Sequence, residues 1–474
     1  YQFELKVTDN AGLSAKDTIQ INVNAVTSSN IPPVADAGSD IEISYDYKTC
    51  TLSPSSITLN GSASHDVDGN IVSYLWSYLS LGPATIVSPN LSTTLVKDFI
   101  FISYTFILQV TDNNGAVDND TMMITIKGTN RQQINAQLIP LATLSETRNA
   151  MAVASSGNKI LFAGGYTGAG PSSRVDIYDI TTNTWSTAAL SKARYDISAA
   201  ALNNKIYFAG GSTDGPNRTG ALSTIDIYDV TTNIWSTAQL SQPRGLMAAA
   251  AAGNKILFAG GYIGIINVAD VLFSNRVDIY DATTNQWSTS SLSMARSDLT
   301  ADAAGNKIYF AGGTNLLNLF DYGCTERIDI YDAVASSWST ASLSEAKGGH
   351  ASIQFNGKIY WAGGRTNTSV YPYSSNKVEI KDVSSQSLSL ACLFQPNAFF
   401  NAVEKNNKIA FFTGEWGNEK NKFDIYDITT NTWFIGLLSQ TFSGASIISV
   451  NNVIYVAGGS INGIASNNVW KLDF

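Results

Sequence analysis

Hydrophobic and polar positions recur at regular intervals over the last two thirds of the chain. An apolar segment ending in Gly-Gly, such as "KILFAGG" at 159–165, returns every 45 to 52 residues. A run of small apolar residues comes before each copy. The alternating segment "VDIYD" (175–179 in the first repeat) comes after it, and a last segment that begins at Trp completes the repeat. This alternation, interrupted by Asn-containing turns, predicts four short antiparallel strands per repeat. The region is therefore predicted to be all-β.

Counting the copies predicts how the repeats close. The strand occurs seven times, once in the weaker form "KIAFFTG" (408–414), and the last repeat ends after its third strand. The segment "INAQLIPLATLSETR" (134–148) supplies a candidate fourth strand, with Ile139 at the position that Trp185 occupies in the first repeat. Pairing the two chain ends of this region would close a ring of seven sheets and remove exposed sheet edges.

The Gly-Gly, Tyr and Trp at these spacings resemble the Kelch repeat over residues 131–474. The resemblance implies a seven-bladed β-propeller closed by an N-terminal fourth strand. Upstream, "HDVDG" (65–69) and "LQVTDNNG" (108–115) resemble the PKD domain, which implies an Ig-like β-sandwich over 32–127.

Residues 1–25 contain "LKVTDNAG", a second copy of the PKD-like segment at 108–115. We expect them to be the last two strands of a truncated PKD-like domain, because a lone hairpin is marginal in water. The alternative is that they complete a sandwich with another chain, which would give self-association. Since the chain lacks an initiator Met, it is expected to be a piece of a longer protein.

Charge and composition narrow the function. The formal net charge of −9 argues against nucleic acid or an anionic membrane as the main partner. No apolar run approaches the roughly 20 residues of a membrane helix, so membrane insertion is not predicted. Cys50, Cys324 and Cys392 lie far apart with no metal-type spacing, which predicts no disulfide framework.

The sequence contains few residues that could form a catalytic site. A copper-radical sugar oxidase is a propeller relative of the Kelch type, but its metal needs two His, and the repeat region has only His350. The other histidine, His65, lies in the PKD-like region. No GxSxG, HExxH or P-loop pattern is found. The sequence therefore predicts no catalytic residues and no required cofactor.

One column of cations offers a binding hypothesis. Five repeats place a cation after the fourth strand: Arg148, Arg194, Arg244, Arg296 and Lys347. In a four-stranded meander, this position shares a face with the long, variable loops that follow Gly-Gly. Those loops carry aromatic candidates for ligand contact: Tyr166, Tyr262, Tyr371 and Trp416. This face is predicted to bind protein or glycan. The alternative is structural, with Asp196 and Asp298 neutralising the nearest arginines.

Three acidic residues of the PKD-like region form a candidate metal site. Asp66, Asp68 and Asp112 lie in two loops that an Ig-like sandwich brings to one end. Three converging carboxylates could hold Ca²⁺. The alternative is ordinary Asp-Gly and Asn-Gly turn chemistry.

The function most consistent with these observations is a non-enzymatic extracellular or cell-surface adhesion protein, of the kind found on bacteria. PKD-like spacers would present a propeller that binds protein or glycan. One alternative is a structural subunit of an extracellular fibre or surface assembly. The other is a mutarotase-like enzyme that acts on acidic sugars.

Overall fold

The computed structural model describes most of the chain. The described residues are 1–24, 29–47, 49–79, 84–99, 103–128, 131–214, 219–267, 270–315, 323–366, 373–414 and 419–474. Every regular element in these ranges is a β-strand, and none forms a helix long and apolar enough to cross a bilayer. The all-β prediction is confirmed.

The chain begins with an isolated hairpin of Gln2–Thr8 and Ser14–Gln20. Asp9 closes its turn, since Oδ1 accepts hydrogen bonds from the N–H groups of Ala11 and Leu13 at 2.9 Å. All residues of both strands are exposed. The hairpin therefore has no packing partner within the described residues.

The next region is a β-sandwich built on a mixed sheet of five strands. In spatial order these are Thr51–Ser53, Ile41–Asp46, Val117–Gly128, Tyr104–Asp112 and Ile71–Tyr78. The second sheet has the order Ile57–Asn60, Thr93–Lys97 and Thr85–Ile86. Alternation along "YTFILQVTD" buries Tyr104, Phe106, Leu108 and Val110, and these side chains pack with Trp76 in the core.

Seven sheets, each built on four antiparallel strands, form most of the remaining described chain and are here called sheets I to VII. Sheet VI has a fifth strand, Gln132–Asn135, which pairs in parallel with its fourth strand. Sheet I has Ala152–Ser156, Lys159–Ala163, Arg174–Asp179 and Thr184–Ala189; sheet II has Ser198–Leu202, Lys205–Ala209, Thr224–Asp229 and Ile234–Gln239; sheet III has Ala248–Ala252, Lys255–Ala259, Arg276–Asp281 and Gln286–Ser291; sheet IV has Thr300–Ala304, Lys307–Ala311, Arg327–Asp332 and Ser337–Ser342; sheet V has Ala351–Phe355, Lys358–Ala362, Lys377–Asp382 and Leu388–Cys392; sheet VI has Ala402–Lys405, Lys408–Phe411, Lys422–Asp427 and Thr432–Leu437; sheet VII has Ser446–Val450, Val453–Ala457, Asn468–Asp473 and Gln137–Thr143.

Some of the connections between the long strands contain short strands of two to six residues. They are Tyr166–Thr167 with Gly170–Pro171, Tyr262–Asn267 with Asp270–Phe273, Arg365–Thr366 with Tyr373–Ser374, and Phe442–Ser443 with Ser460–Ile461 and Ile464–Ala465.

The sheets are arranged in a ring. The first strand of each sheet contacts the first strand of the next sheet, and Ser446–Val450 of sheet VII contacts Ala152–Ser156 of sheet I. These first strands are therefore the innermost strands and surround a central channel. The closing pair is Gln137–Thr143 with Asn468–Asp473, the pairing that the sequence predicts.

The register of the closing strand differs from the prediction. A β-bulge between Pro140 and Ala142 adds one residue, so Leu138 lies opposite Leu472 at the position of the Tyr–Trp pairs in other sheets. Ile139, which we expected at that position, lies opposite Lys471 and is 45% exposed.

A disulfide and a buried arginine join the sandwich to the ring. Cys50 of the sandwich is bonded to Cys392 at the end of sheet V, so the expectation of no disulfide is wrong for this pair. Spacing along the sequence could not reveal it, because the two cysteines are 342 residues apart. The Tyr47 hydroxyl donates a hydrogen bond to the Phe394 carbonyl at 2.9 Å. Arg131 lies 4.2 Å from the Tyr47 ring and 4.9 Å from the Trp433 ring.

A candidate binding site at the channel mouth

The Gly-Gly pairs fix where the chain passes from one sheet to the next. In sheet I, Gly164 and Gly165 have φ of 62° and 95°, which is the left-handed region. A Cβ on Gly164 would lie 2.6 Å from the Arg194 carbonyl oxygen. The connection that carries the cation column therefore runs directly against the second strand of the sheet that precedes it.

The predicted cation column is buried and does not form a surface crescent. Each member is at most 1% exposed. Each pairs with the carboxylate at the second position of a "VDIYD"-type strand: Arg148 with Asp176, Arg194 with Asp226 (2.7 Å), Arg244 with Asp278, Arg296 with Asp329 (2.8 Å) and Lys347 with Glu379 (3.3 Å). The structural alternative is correct, but its expected partners, Asp196 and Asp298, are not the ones observed.

Arg244 shows why the column is buried. Its Nη1 donates hydrogen bonds to the carbonyls of Gly260 (2.7 Å) and Arg276 (2.6 Å), and its Nη2 bonds Asp278. Burial lowers the pKa of Arg244 to about 10, while Asp278 opposes that shift. The guanidinium therefore stays charged at neutral pH and ties the connection to two strands of sheet III.

The sixth and seventh repeats lack the cation, and both are consistent with a pairing between the cation column and the strand carboxylate. Asn397 replaces the cation in the sixth repeat, and Asp424 pairs instead with Arg131 from the segment before the ring. In the seventh repeat the cation and the carboxylate are both absent, replaced by Phe442 and Trp470. The residue at the cation position and the residue at the carboxylate position change together in the fifth and seventh repeats, to Lys347 with Glu379 and to Phe442 with Trp470. This joint change is the sequence signal that could have identified the pair.

The residue two positions after the cation column forms the rim of the central channel. In all seven connections its φ lies between 48° and 63°: Ala150, Asp196, Leu246, Asp298, Gly349, Phe399 and Gly444. Several of these residues donate their N–H to the rim carbonyl of the neighbouring connection, as Gly349 does to Asp298 at 2.8 Å. We call this ring, with the residue that follows each Gly-Gly, the channel mouth.

Two aromatic predictions fall on the channel mouth. Tyr262 is fully buried and donates its hydroxyl to Asp196 Oδ2 at 3.1 Å, so it cannot contact a ligand directly as expected. Burial raises the pKa of Tyr262, with the Asp196 charge as the next cause. Tyr166 is half-buried and packs edge to face with Tyr195 at 5.8 Å. Tyr371 and Trp416 lie outside the described residues.

An ion pair at the mouth was not predicted. Arg365 bonds Asp298 at 3.3 Å, and its guanidinium lies 4.5 Å from the Phe399 ring. Thr314 also donates to Asp298 Oδ2, at 3.1 Å. Arg365 follows Gly-Gly directly, in the column that holds Tyr166 and Tyr262, and this shared position could have identified it.

The predicted metal site is not assembled. Asp112 is buried and accepts hydrogen bonds from the side chain of Asn30 and the N–H groups of Asn114 and Ala116. Asp66 and Asp68 lie in the neighbouring turn, where Asp66 Oδ1 accepts the Asp68 N–H. Among the described residues no group of three metal-ligating side chains comes together. These carboxylates close turns, which is the alternative that the sequence left open.

The histidine of the ring is also structural. His350 is 4% exposed, and its Nε2 lies 2.8 Å from the Thr300 hydroxyl. Burial lowers its pKa to about 3, and the nearby Lys347 charge acts in the same direction. His350 is therefore neutral at physiological pH and packs between the inner strands of sheets IV and V.

Family models match two regions of the chain. The "K319L-like, PKD domain" matches residues 37–126, the "KLHDC2/KLHL20/DRC7 Kelch-repeats domain" matches 104–313, and the "Kelch motif" matches 441–474. The chain thus carries a PKD-like domain followed by Kelch repeats. The overlap at 104–126 lies on sandwich strands in the structure.

Relatives match only parts of the chain. The dyslexia-associated protein KIAA0319 homolog of Rattus norvegicus is 38% identical over 130 residues, 27% of this chain and 11% of that protein. Kelch-like protein 41a of Danio rerio is 29% identical over 139 residues, 27% of this chain and 22% of that protein. The chain therefore spans a small fraction of either relative.

A solved structure shares the fold. It is a fungal alcohol oxidase of the AA5 family in complex with copper, with a TM-score of 0.54 and 15% identity. The match covers 72% of this chain and 76% of that chain. At this identity the likeness shows the fold and carries no statement about chemistry.

Proposed function

We propose that this chain is an extracellular or cell-surface binding protein that acts without catalysis. Its PKD-like sandwich holds the Kelch ring, and the channel mouth contacts a protein ligand. The observation that carries the proposal is the hydrogen-bonded rim, which fixes the half-buried pair Tyr166 and Tyr195 on a rigid scaffold. Preorganised aromatic side chains of this kind are the usual anchors of protein interfaces.

Two features support the location. The disulfide between Cys50 and Cys392 is of a type that persists in oxidising compartments outside the cytosol. The PKD-like match and the relatives that share it point in the same direction. Glycan remains the second ligand class, because aromatic side chains also pack on sugar rings.

The test is binding of the whole chain to arrays of extracellular proteins and of glycans. Tyr195→Ala should weaken binding to the selected protein at least tenfold without a change in melting temperature. Val334→Ala is the matched control, since Val334 is 74% exposed on a turn between the third and fourth strands, at the opposite end of the ring. Equal losses in both variants, or binding to glycans alone, would contradict a protein site at the mouth.

The mutarotase-like alternative loses its main support. It required an exposed arginine crescent to hold an acidic sugar, and those arginines are buried in ion pairs. Turnover of an acidic sugar by the purified chain would nevertheless overturn the proposal.

The assembly alternative has a specific observation in its favour. Phe3, Leu5 and Val7 of the first hairpin are 55%, 65% and 60% exposed. The repeated sequence places them at the positions of Phe106, Leu108 and Val110 in the sandwich, which are fully buried. The hairpin thus presents an apolar face that no described residue covers, and a second copy of the chain could cover it. Light scattering tests this: Leu5→Ser should reduce an assembled state to monomer, and a monomeric parent chain would contradict it.

A further inference from the structure

A cleft separates sheets V and VI on the outer side of the ring. It encloses about 570 Å³. Sheet V contributes one wall and sheet VI the other: Lys358, Ile380, Ser389, Leu390, Ala391, Tyr426, Ile428, Asn431 and Trp433. The cleft lies far from the channel mouth in the fold, because its residues belong to the outer strands and to the short-turn end.

At two other gaps of the ring the equivalent lysine bridges the neighbouring sheets. Lys159 of sheet I donates to Asn233 Oδ1 (2.5 Å) and the Tyr228 hydroxyl (3.4 Å) of sheet II. Lys255 of sheet III donates hydrogen bonds to the Ser336 hydroxyl (2.6 Å) and the Tyr331 hydroxyl (3.4 Å) of sheet IV.

In the cleft that bond is missing, as it also is for Lys205 of sheet II and Lys307 of sheet IV among the described residues. Lys358 occupies the matching position, and Tyr426 and Asn431 occupy the positions of Tyr228 and Asn233. Tyr426 donates to Asn431 at 2.8 Å, and within the described residues the Lys358 ammonium makes no hydrogen bond or ion pair. A cation without a partner, in a cleft that Trp433 and Ile380 also line, favours a ligand that brings a carboxylate.

The outer strand beside the cleft differs from the other outer strands in its side chains. Leu388–Cys392 pairs only with Lys377–Asp382, as the fourth strands of sheets I to IV pair only with their third strands. Its outer edge from Leu388 to Leu390 has no backbone partner among the described residues, whereas the Cys392 carbonyl accepts a hydrogen bond from Arg131. Leu388 and Leu390 on this strand are 49% and 47% exposed. The first four sheets carry polar Thr at the position of Leu390: Thr187, Thr237, Thr289 and Thr340. Exposed apolar side chains on an unpaired edge mark a site of strand addition.

The adjacent sheet shows that an outer edge of this ring accepts an added strand. Gln132–Asn135 pairs in parallel with Thr432–Leu437 and makes sheet VI five-stranded. Sheet V has no such strand among the described residues. Its edge is therefore geometrically equivalent to one that is already occupied.

We infer that the outer edge of sheet V is a docking site for an extended acidic peptide. The peptide adds as a strand along the exposed residues Leu388–Leu390, its apolar side chains cover Leu388 and Leu390, and a carboxylate enters the cleft to pair with Lys358. Ser389 and Asn431 line the same space and offer further hydrogen bonds. This site is separate from the channel mouth and would serve a second partner.

The experiment pans a phage-displayed library of random ten-residue peptides against the whole chain. Enriched peptides should contain an acidic residue among apolar ones, and replacing that residue with its amide should weaken binding at least tenfold. Hydrogen–deuterium exchange should show peptide-dependent protection of the amides in 388–391.

Variants locate the site and separate it from the mouth. Lys358→Gln and Leu390→Thr should each weaken binding of the selected peptide at least tenfold, and the second restores the residue that other sheets carry. Lys159→Gln, at the equivalent closed gap, and Tyr195→Ala at the mouth should leave the affinity unchanged. The inference is overturned if no acidic peptide is enriched, if protection maps outside 388–391, or if Lys159→Gln weakens binding as much as Lys358→Gln.

Discussion

Replacing one arginine of the buried column tests the structural role of that column. Arg244 is fully buried, its carboxylate partner Asp278 is 3% exposed, and two backbone carbonyls also accept from the guanidinium. Arg244→Met fills most of the volume with apolar atoms but leaves the Asp278 charge and both carbonyls without their donor. Breaking a buried ion pair from one side costs about 3–5 kcal/mol. We therefore expect a loss of about that size in the free energy of unfolding.

The assay is urea-induced unfolding at pH 7. Unfolding is monitored by hydrogen exchange of the amides in sheet III, so that loss of the ring is distinguished from loss of the sandwich. Arg276→Met is the matched control, because Arg276 is exposed at the start of a strand in the same sheet. This control should change stability by no more than about 0.5 kcal/mol. The double variant Arg244→Met with Asp278→Asn should recover part of the loss, because it removes the unpaired charge as well.

Two results would refute this reasoning. A loss below about 1 kcal/mol for Arg244→Met would mean that the buried pair is not a structural link. Additive effects in the double variant would mean that Arg244 and Asp278 do not interact. If the arginine instead contacted a ligand, Arg244→Met would reduce binding and leave the unfolding curve unchanged.

Three further predictions follow from buried or joined groups. Burial raises the pKa of Asp302 to about 6, above its unfolded value near 4, so the contribution of the Asp302 carboxyl group to stability is lost as the pH rises from about 4 to about 6. Asp302→Asn should therefore raise the melting temperature at pH 8 and not at pH 3. An equal gain at both pH values would contradict this reasoning. Reducing the bond between Cys50 and Cys392 should lower stability by roughly 2–4 kcal/mol and increase hydrogen exchange at 388–394, whereas unchanged exchange would show that the remaining contacts hold the joint. Arg131→Ala removes the cation that pairs with Asp424 and should loosen sheet VI and the sandwich together, which exchange in both regions measures; a change confined to one of them would contradict a shared joint.

Much of the fold can be predicted from the sequence because it follows from local patterns. Alternation recurs in every repeat, Gly-Gly and the Asn turns recur in most of them, and each repeat needs neighbours to bury its two faces. The pairing of 137–143 with the last repeat could be found because one repeat lacks a fourth strand. The bulge at Pro140 could not, since a one-residue insertion leaves no trace in composition.

The candidate site was harder to predict. A column of arginines on a connection is compatible with a charged surface or with buried ion pairs, and only the approach of the next sheet decides between them. Gly164 lies so close to the Arg194 carbonyl that the Arg194 side chain is enclosed between sheets. The carboxylate that pairs with it, Asp226, is 32 positions further along the chain.

The sequence by itself determined the all-β class, the repeat unit and the two kinds of domain, because these depend on periodicity that neighbouring residues share. Tertiary structure alone decided which side chains are buried and which pairs meet. Cys50 meets Cys392, and Arg131 reaches Asp424, across separations that no local pattern encodes. Closing the ring and docking the sandwich brings these groups together, and that geometry determines which surfaces remain available for binding.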